Sequence, residues 1–317
     1  MRNTFPPFRP WLHLCCSLFV LLFWSTAALG QTSFAPAQII EESIFTSAYF
    51  AEIDNDGSPD IVFSGGNVIG WFKNNNNGGF NAFTIIGFIN AEITFYTIDI
   101  DNDGDNDLVS GYTDNLETTN LVWYENDGNG NFSLQVIDTN IHTPLNIYAI
   151  DIDNDGDNDV LSGSFVDAEV AWYENDGSGN FGTEQIIATD AIGVNDISSI
   201  DLDNDGDNDV LLTALGDASM VWYANNGDGN FGDEQIISTN TVRYSTFPID
   251  FDNDGDIDII GPSSTNMGVD LYENDGNANF NKVQIIEEYN FILSILWVAD
   301  LDNDGDNDII SGGTYEF

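Results

Sequence analysis

The stretch Asp99-Ile100-Asp101-Asn102-Asp103-Gly104-Asp105-Asn106-Asp107 decides how the rest of this 317-residue chain reads. It places carboxylates at every odd position of a nine-residue loop, with Gly104 at position 6, where the chain has to turn. Five negative side chains so close repel one another, and only a hard, oxygen-seeking cation makes the crowding favourable. The pattern recurs in five further loops, beginning at Glu52, Asp151, Asp201, Asp250 and Asp300, at spacings of 47 to 52 residues.

Candidate ligands follow by position. They are Glu52, Asp54, Asp56, Ser58 and Asp60 in the first loop and Asp99, Asp101, Asp103, Asp105 and Asp107 in the second. The third and fourth loops offer Asp151, Asp153, Asp155, Asp157 and Asp159, then Asp201, Asp203, Asp205, Asp207 and Asp209. The last two offer Asp250, Asp252, Asp254, Asp256 and Asp258, then Asp300, Asp302, Asp304, Asp306 and Asp308. Positions 1, 3, 5 and 9 supply carboxylate oxygens, while position 7 can give its backbone carbonyl, so Ser58 there does not break the set. Water would complete the roughly six to eight oxygens that calcium prefers, and octahedral magnesium fits less well. The expectation is about one Ca2+ per repeat, up to six. The first loop, with Glu52 at position 1 and Pro59 at position 8, is expected to bind more weakly.

An EF-hand loop begins in the same way but needs a bidentate Glu at position 12 and flanking helices. Position 12 here holds Phe63, Ser110, Ser162, Leu212, Gly261 and Ser311, and the flanks are strand-like runs such as Thr94 to Ile98. Each loop therefore joins two strands. A second signature, Trp123-Tyr124-Glu125-Asn126-Asp127-Gly128-Asn129-Gly130-Asn131-Phe132, returns at Trp172 to Phe181 and Trp222 to Phe231, with weaker versions at Trp71 to Phe80 and Leu271 to Phe280. Asn and Gly between aromatic ends predict a hairpin. A period of about 50 residues with four strands is what a propeller blade requires.

From about Phe34 onward the chain resembles the FG-GAP and VCBS repeat family, the calcium-binding blades of integrin-α-like β-propellers. The resemblance implies an all-β propeller of four-stranded blades whose metal loops join the first two strands of each blade. The expected repeats run over 44–90, 91–140, 141–190, 191–240 and 241–288, with a partial sixth at 289–317. The segment Phe34 to Ile40 reads as a stray fourth strand. A third strand is still missing from the last blade, which predicts a truncated relative of the family's seven-bladed type.

Residues 1–30 read as a secretory signal peptide: Arg2 and Arg9, an apolar run from Trp11 to Trp24, then Ala28-Leu29-Gly30. Both cysteines, Cys15 and Cys16, fall inside it, so the mature chain at 31–317 would carry no disulfide, and bound metal would be its staple. Removal of the leader leaves Lys73, Arg243 and Lys282 against 54 acids, a formal charge of −51. Such a surface excludes nucleic acid and anionic lipid headgroups as partners.

The mature chain has a single histidine, His142, and no cysteine, so nucleophilic triads have almost no raw material. Only Arg243-Tyr244 offers a base for a polysaccharide lyase, and no carboxylate pair stands out for glycoside hydrolysis. The Trp-Tyr pairs read as packing between blades, with sugar stacking as the alternative. The expected function is an exported binding or adhesion module for an extracellular protein or glycan. Its connections opposite the metal loops, such as Tyr112 to Thr119, Phe165 to Ala168 and Ser263 to Gly268, would select the ligand. A lectin with sites between blades is the second reading, and a calcium-dependent polysaccharide-degrading enzyme the third.

Overall fold

A computed structural model describes residues 47–77, 79–88, 94–113, 119–139, 141, 144–164, 167–216, 218–239, 246–263, 269–286, 292–299 and 307–314. Among these residues every regular element is a strand, and none is a helix long and apolar enough to cross a membrane. The first sheet contains β1 (Ser47–Ala51), β2 (Asp60–Gly65), β3 (Val68–Phe72) and β4 (Thr84–Phe88). The second contains β5 (Phe95–Ile98), β6 (Asp107–Thr113), β7 (Thr119–Asn126) and β8 (Phe132–Asp138). The third contains β9 (Pro144–Ile150), β10 (Asp159–Ser164), β11 (Val170–Tyr173) and β12 (Gln185–Ala188). The fourth contains β13 (Val194–Ile200), β14 (Asp209–Ala214), β15 (Ser219–Tyr223) and β16 (Gln235–Thr239). The fifth contains β17 (Phe247–Ile249), β18 (Asp258–Pro262), β19 (Val269–Asn274) and β20 (Phe280–Ile286). Each is an antiparallel meander in chain order, and β21 (Ile292–Ala299) pairs with β22 (Asp308–Thr314) in a sixth.

Consecutive sheets share a core, which makes them propeller blades. Ile53, Val62 and Trp71 of the first sheet pack with Phe95, Leu108 and Tyr124 of the second. Val109 and Trp123 of the second meet Ile147, Val160 and Tyr173 of the third in the same way. Leu161 and Trp172 then meet Val210 and Tyr223, and Leu211 and Trp222 meet Ile259 and Tyr272. The middle strands are therefore sandwiched on both faces, and β2, β10, β14 and β15 are buried at every residue. That explains their continuous apolar runs, unlike the alternation of a sheet with one wet face.

First strands lie innermost. β9 packs against both β5 and β13, and Thr246, just before β17, donates from its N–H (2.7 Å) and Oγ1 (3.0 Å) to Asp196 of β13. Asp196 is partly buried, and burial pushes its carboxyl up to about 6 against those two hydrogen bonds. Fourth strands are outermost and leave Ile85, Leu134, Val136, Ile186 and Ile236 exposed. The order of four strands expected for each complete period is observed, although the fourth begins at the signature's Phe only in β8 and β20, and the sixth period has two described strands. The expected signal peptide at 1–30 and the segment Phe34 to Ile40 lie outside the described residues.

Candidate metal centres

Each of the five acidic loops among the described residues occupies the corner between the first and second strands of its sheet. In the loop from β5 to β6, Asn102 (φ 58°) and Gly104 (φ 95°) both adopt left-handed backbone, which curls the chain around its own carboxylates. The carboxylates hold that curl. Asp99 accepts from the Gly104 N–H at 3.0 Å, Asp101 from Asp103 at 3.3 Å, and Asp103 from Asp105 at 2.9 Å. Asp107 opens β6 fully buried, one oxygen accepting from the Ile100 N–H (3.0 Å) and the other from Asn126 of the next hairpin (2.8 Å).

This winding brings ligand oxygens of Asp99, Asp101 and Asp107 within 4.8 Å of one another. Asp151, Asp153 and Asp159 converge in the same way, as do Asp201, Asp203 and Asp209, and Glu52, Asp54 and Asp60. In the fifth loop the convergent set is Asp250, Asp252 and Asp254, while Asp258 accepts from Phe251 and Asn274. Asp103, Asp155 and Asp205 at position 5, with Asp56 in the first loop, lie along the same turn and cap the position 7 N–H. Position 7 side chains face the neighbouring loop instead. Asp157, Asp207 and Asp256 accept from Asn102, Asn154 and Asn204 at 2.7 to 2.8 Å, and Asp105 accepts from Asn55. Any contribution of theirs to a metal would come through the backbone carbonyl. Asp300, Asp302, Asp304 and Asp306 lie outside the described residues, and Asp308 begins β22.

The donor set fits calcium on two grounds. Buried Oδ1 atoms of Asp99, Asp151 and Asp201, with that of Asp54, have no hydrogen-bond partner, and an orphaned carboxylate oxygen inside an all-oxygen cluster fits a cation ligand. Titration points the same way: burial pushes Asp107, Asp159 and Asp209 up to about 7, opposed by two backbone N–H groups and reinforced by neighbouring aspartates. Asp101, Asp153, Asp203 and Asp252 are raised by burial and then by the adjacent carboxylates. A cation bound among these carboxylates would oppose both effects.

Asparagine joins the centres to one another. Asn106 of the second loop donates to the carbonyl of Glu52 in the first at 2.9 Å; Asn158, Asn208 and Asn307 repeat the bond to Asp99, Asp151 and Asp250. Asn126, Asn175, Asn225 and Asn274, each the fourth residue of the aromatic signature, reach back to Ile53, Ile100, Ile152 and Leu202. A search for ligands passes over these residues because amides look like turn formers. Their recurrence at fixed loop positions is the signal that could have found them.

The matched family model is that of the FG-GAP-like repeat, and it covers residues 52–110, 99–162, 151–212, 201–261 and 250–311. The chain belongs to the FG-GAP-like repeat family. Each match of the FG-GAP-like repeat runs from one acidic loop through the strand that follows the next, so the unit spans the blade junction carrying the asparagine links. Among solved structures, an Agrocybe aegerita lectin that recognises non-reducing terminal N-acetylglucosamine is similar to this FG-GAP-like chain. It shares 20% identity over 85% of this chain and 75% of its own, with a TM-score of 0.63. The Aleuria aurantia lectin, a six-bladed β-propeller that recognises fucose, shares 11% identity over 77% and 78%, with a TM-score of 0.45. No curated protein sequence matches the chain.

The Trp-Tyr pairs are packing residues. Trp123, Trp172 and Trp222 are buried with their tyrosines, and the indole of Trp71 lies where a Cβ on Gly130 would sit, 2.3 Å away. Sugar stacking on these rings is thereby ruled out. A different polar feature lies where the third FG-GAP-like blade meets the second. A cavity of about 50 Å3 is lined by Ile141, Ser162, Ser164, Asp167, Glu169, Ala171 and Glu184, around the β10 to β11 connection. Ser162 is 1% exposed and its Oγ has no hydrogen-bond partner, whereas Ser164 Oγ accepts from the Asp167 N–H at 3.0 Å. Burial raises the Glu169 carboxyl, with Glu184 and Asp167 adding to the shift. Tyr173 Oη, hydrogen-bonded to Glu184 (3.2 Å) and Asp138 (3.1 Å), ties β11 to β8. His142 and Arg243-Tyr244 lie outside the described residues.

Proposed function

We propose that this chain is an exported, calcium-stabilised β-propeller that binds glycans between blades. The carrying observation is the cavity lined by Ser162, Asp167, Glu169 and Glu184, with its unpartnered buried hydroxyl. Its lining polar groups are carboxylates and hydroxyls, with no cationic side chain, so it suits a ligand edge that presents hydroxyl donors, as a sugar does, and charge-assisted bonds to carboxylates are the strong kind. Ile141 and Ala171 supply an apolar wall for the sugar's C–H face. The volume admits one or two hydroxyl groups, so the cavity would anchor one edge of a residue whose remainder lies outside. Similarity to the N-acetylglucosamine-recognising lectin supports the same class of ligand.

Calcium holds the scaffold in this reading. Asp99, Asp101, Asp103 and Asp107, with their counterparts in the other loops, would supply its oxygens, and the ion would neutralise charge at each blade corner. The residues' own task is positioning: the asparagine links hold each loop against the next, and Asp107 pins the loop to the hairpin behind it.

A glycan array probed with the purified protein in calcium, followed by titration of the best ligand, tests the binding reading. Ser162→Ala and Glu184→Gln should each weaken that ligand several-fold without lowering the melting temperature. Array binding that survives both substitutions would move the ligand site elsewhere. An empty array with capture of an extracellular protein would favour adhesion.

A further inference from the structure

The first metal loop differs from its four described counterparts in what faces it. Lys73 follows β3, and its Nζ contacts Asp54 Oδ2 and lies 3.0 Å from Asp56 Oδ2. The pair is not a loose surface contact, because the Asp54 side chain is only 10% exposed and that of Lys73 is 37% exposed. The residue at this place in the later blades is Glu125, Glu174, Ala224 or Glu273, so the signature elsewhere supplies a negative or neutral side chain.

Other substitutions in the first loop agree with that change of sign. Position 7 is Ser58 in place of Asp, and Ser58 Oγ is hydrogen-bonded to the side chain of Asn76 from the β3 to β4 hairpin. Asn76 also reaches Asp56 Oδ2 at 3.5 Å. In the second blade the hairpin residue is Gly128, and a side chain there would run into the carboxylate of Asp105, 2.4 Å from the added Cβ. A carboxylate opposite glycine has thus become a hydroxyl opposite an amide. At position 1, Glu52 uses its extra methylene to accept from the Asp56 N–H at 3.1 Å, and the oxygen left without a hydrogen bond in this loop is Asp54 Oδ1, on the carboxylate that Lys73 contacts, whereas in the second, third and fourth loops it is Oδ1 of Asp99, Asp151 and Asp201.

We infer that the ammonium of Lys73 takes the place of a calcium ion in the first loop, giving this blade a corner that needs no metal. A tethered cation has no association step to complete and is present at any calcium concentration. A second positive charge brought among the same few carboxylates would meet it at ion-pair distance. The inference replaces the sequence-based expectation of a weak but occupied first site. It rests on the calcium reading of the other loops, and one experiment separates the two.

Native mass spectrometry and flow dialysis of the full mature protein would count bound calcium in four forms. Asp101→Asn should lose one ion relative to the parent and Asp54→Asn none, while Lys73→Gln should gain one. Hydrogen exchange on the parent adds an independent readout: amides of residues 52–60 should keep their protection in chelator while those of 99–107 lose theirs. Loss of an ion in Asp54→Asn, or an unchanged count in Lys73→Gln, overturns the role of Lys73. No loss in Asp101→Asn overturns the calcium reading itself. If Lys73→Gln fails to fold, Lys73→Arg, which keeps the charge, should leave the parent count unchanged, and a gained ion there would equally sink the proposal.

Discussion

The first and second acidic loops share spacing, turn glycine and buried final aspartate, yet their surroundings carry opposite charge. Around Asp99, Asp101 and Asp107 the nearest added groups are further acids, and Glu125 itself raises Asp101. Around Asp54 and Asp56 the added groups are the Lys73 ammonium and the Asn76 amide. One backbone design thus serves two electrostatic solutions. Loop shape comes from local hydrogen bonds that both loops make, and under the calcium proposal the demand for an external cation is set by side chains on the neighbouring hairpin.

Calcium removal should give the largest effect. A ligand at about a hundred times its dissociation constant stabilises by about 2.7 kcal/mol per site, so stripping several loops at once should lower the melting temperature by tens of degrees. Thermal melts in calcium and in chelator measure it. A shift of a few degrees would mean that the second to fifth loops resemble the first.

Single aspartates come next. Asp159→Asn should release one ion and cost about 2 to 3 kcal/mol, because the amide turns one acceptor for the Ile152 or Asn175 N–H into a donor. Asp60→Asn should cost a similar amount in folding but release no ion, since its partners Ile53 and Asn74 are the same kind of groups. Urea unfolding with and without calcium separates the two terms.

A third difference lies in pH. Without metal, burial holds Asp107, Asp159 and Asp209 at about 7 in the folded chain, against roughly 3.9 when unfolded. The folded form then binds more protons across that window, so metal-free stability should rise as pH falls from about 8 to about 5. With calcium bound the same carboxylates must stay ionised, as they are in the unfolded chain above about pH 5, so stability should be nearly flat over that range and the two trends should differ. Melting curves at both pH values in calcium and in chelator test the difference; parallel trends would argue that these aspartates do not hold the ion.

Smaller effects probe the links between blades. Gly130→Ala should cost about 1 to 3 kcal/mol, because its φ of 75° is left-handed and the new methyl meets Trp71. Asn102→Ala removes an exposed bond to Asp157 and puts alanine at a φ of 58°, so it should cost about 1 kcal/mol and weaken calcium binding at the second loop as well as the third. Stepwise titration of that variant reads the coupling.

Much of this was legible in the residues. Asp-x-Asp-x-Asp-Gly spacing, strand-like flanks and the Asn-Gly hairpin are local signals, and each gave its element in the right order, down to the two described strands of the sixth period. Alternation in a tight loop predicts convergence of positions 1, 3, 5 and 9, of which 1, 3 and 9 come together in the first four loops and 1, 3 and 5 in the fifth. Asn106 and Asn126 were not, because what they bond is a carbonyl in the preceding blade, more than fifty residues away in the chain. Nor was the cavity beside Ser162, whose lining comes from a connection, two strands and a neighbouring blade.

Sequence alone determined the repeat, the four-strand unit and the acidic corners, because these depend on contacts within a few residues or on a period that recurs. Tertiary structure alone decided which charges face one another. Lys73 stands nineteen residues from Asp54, in a signature where Glu recurs, and nothing in its local pattern places it at a loop. Only the packing of a hairpin behind its own blade's metal corner brings the ammonium to the carboxylates, and charge acts through space rather than along the chain.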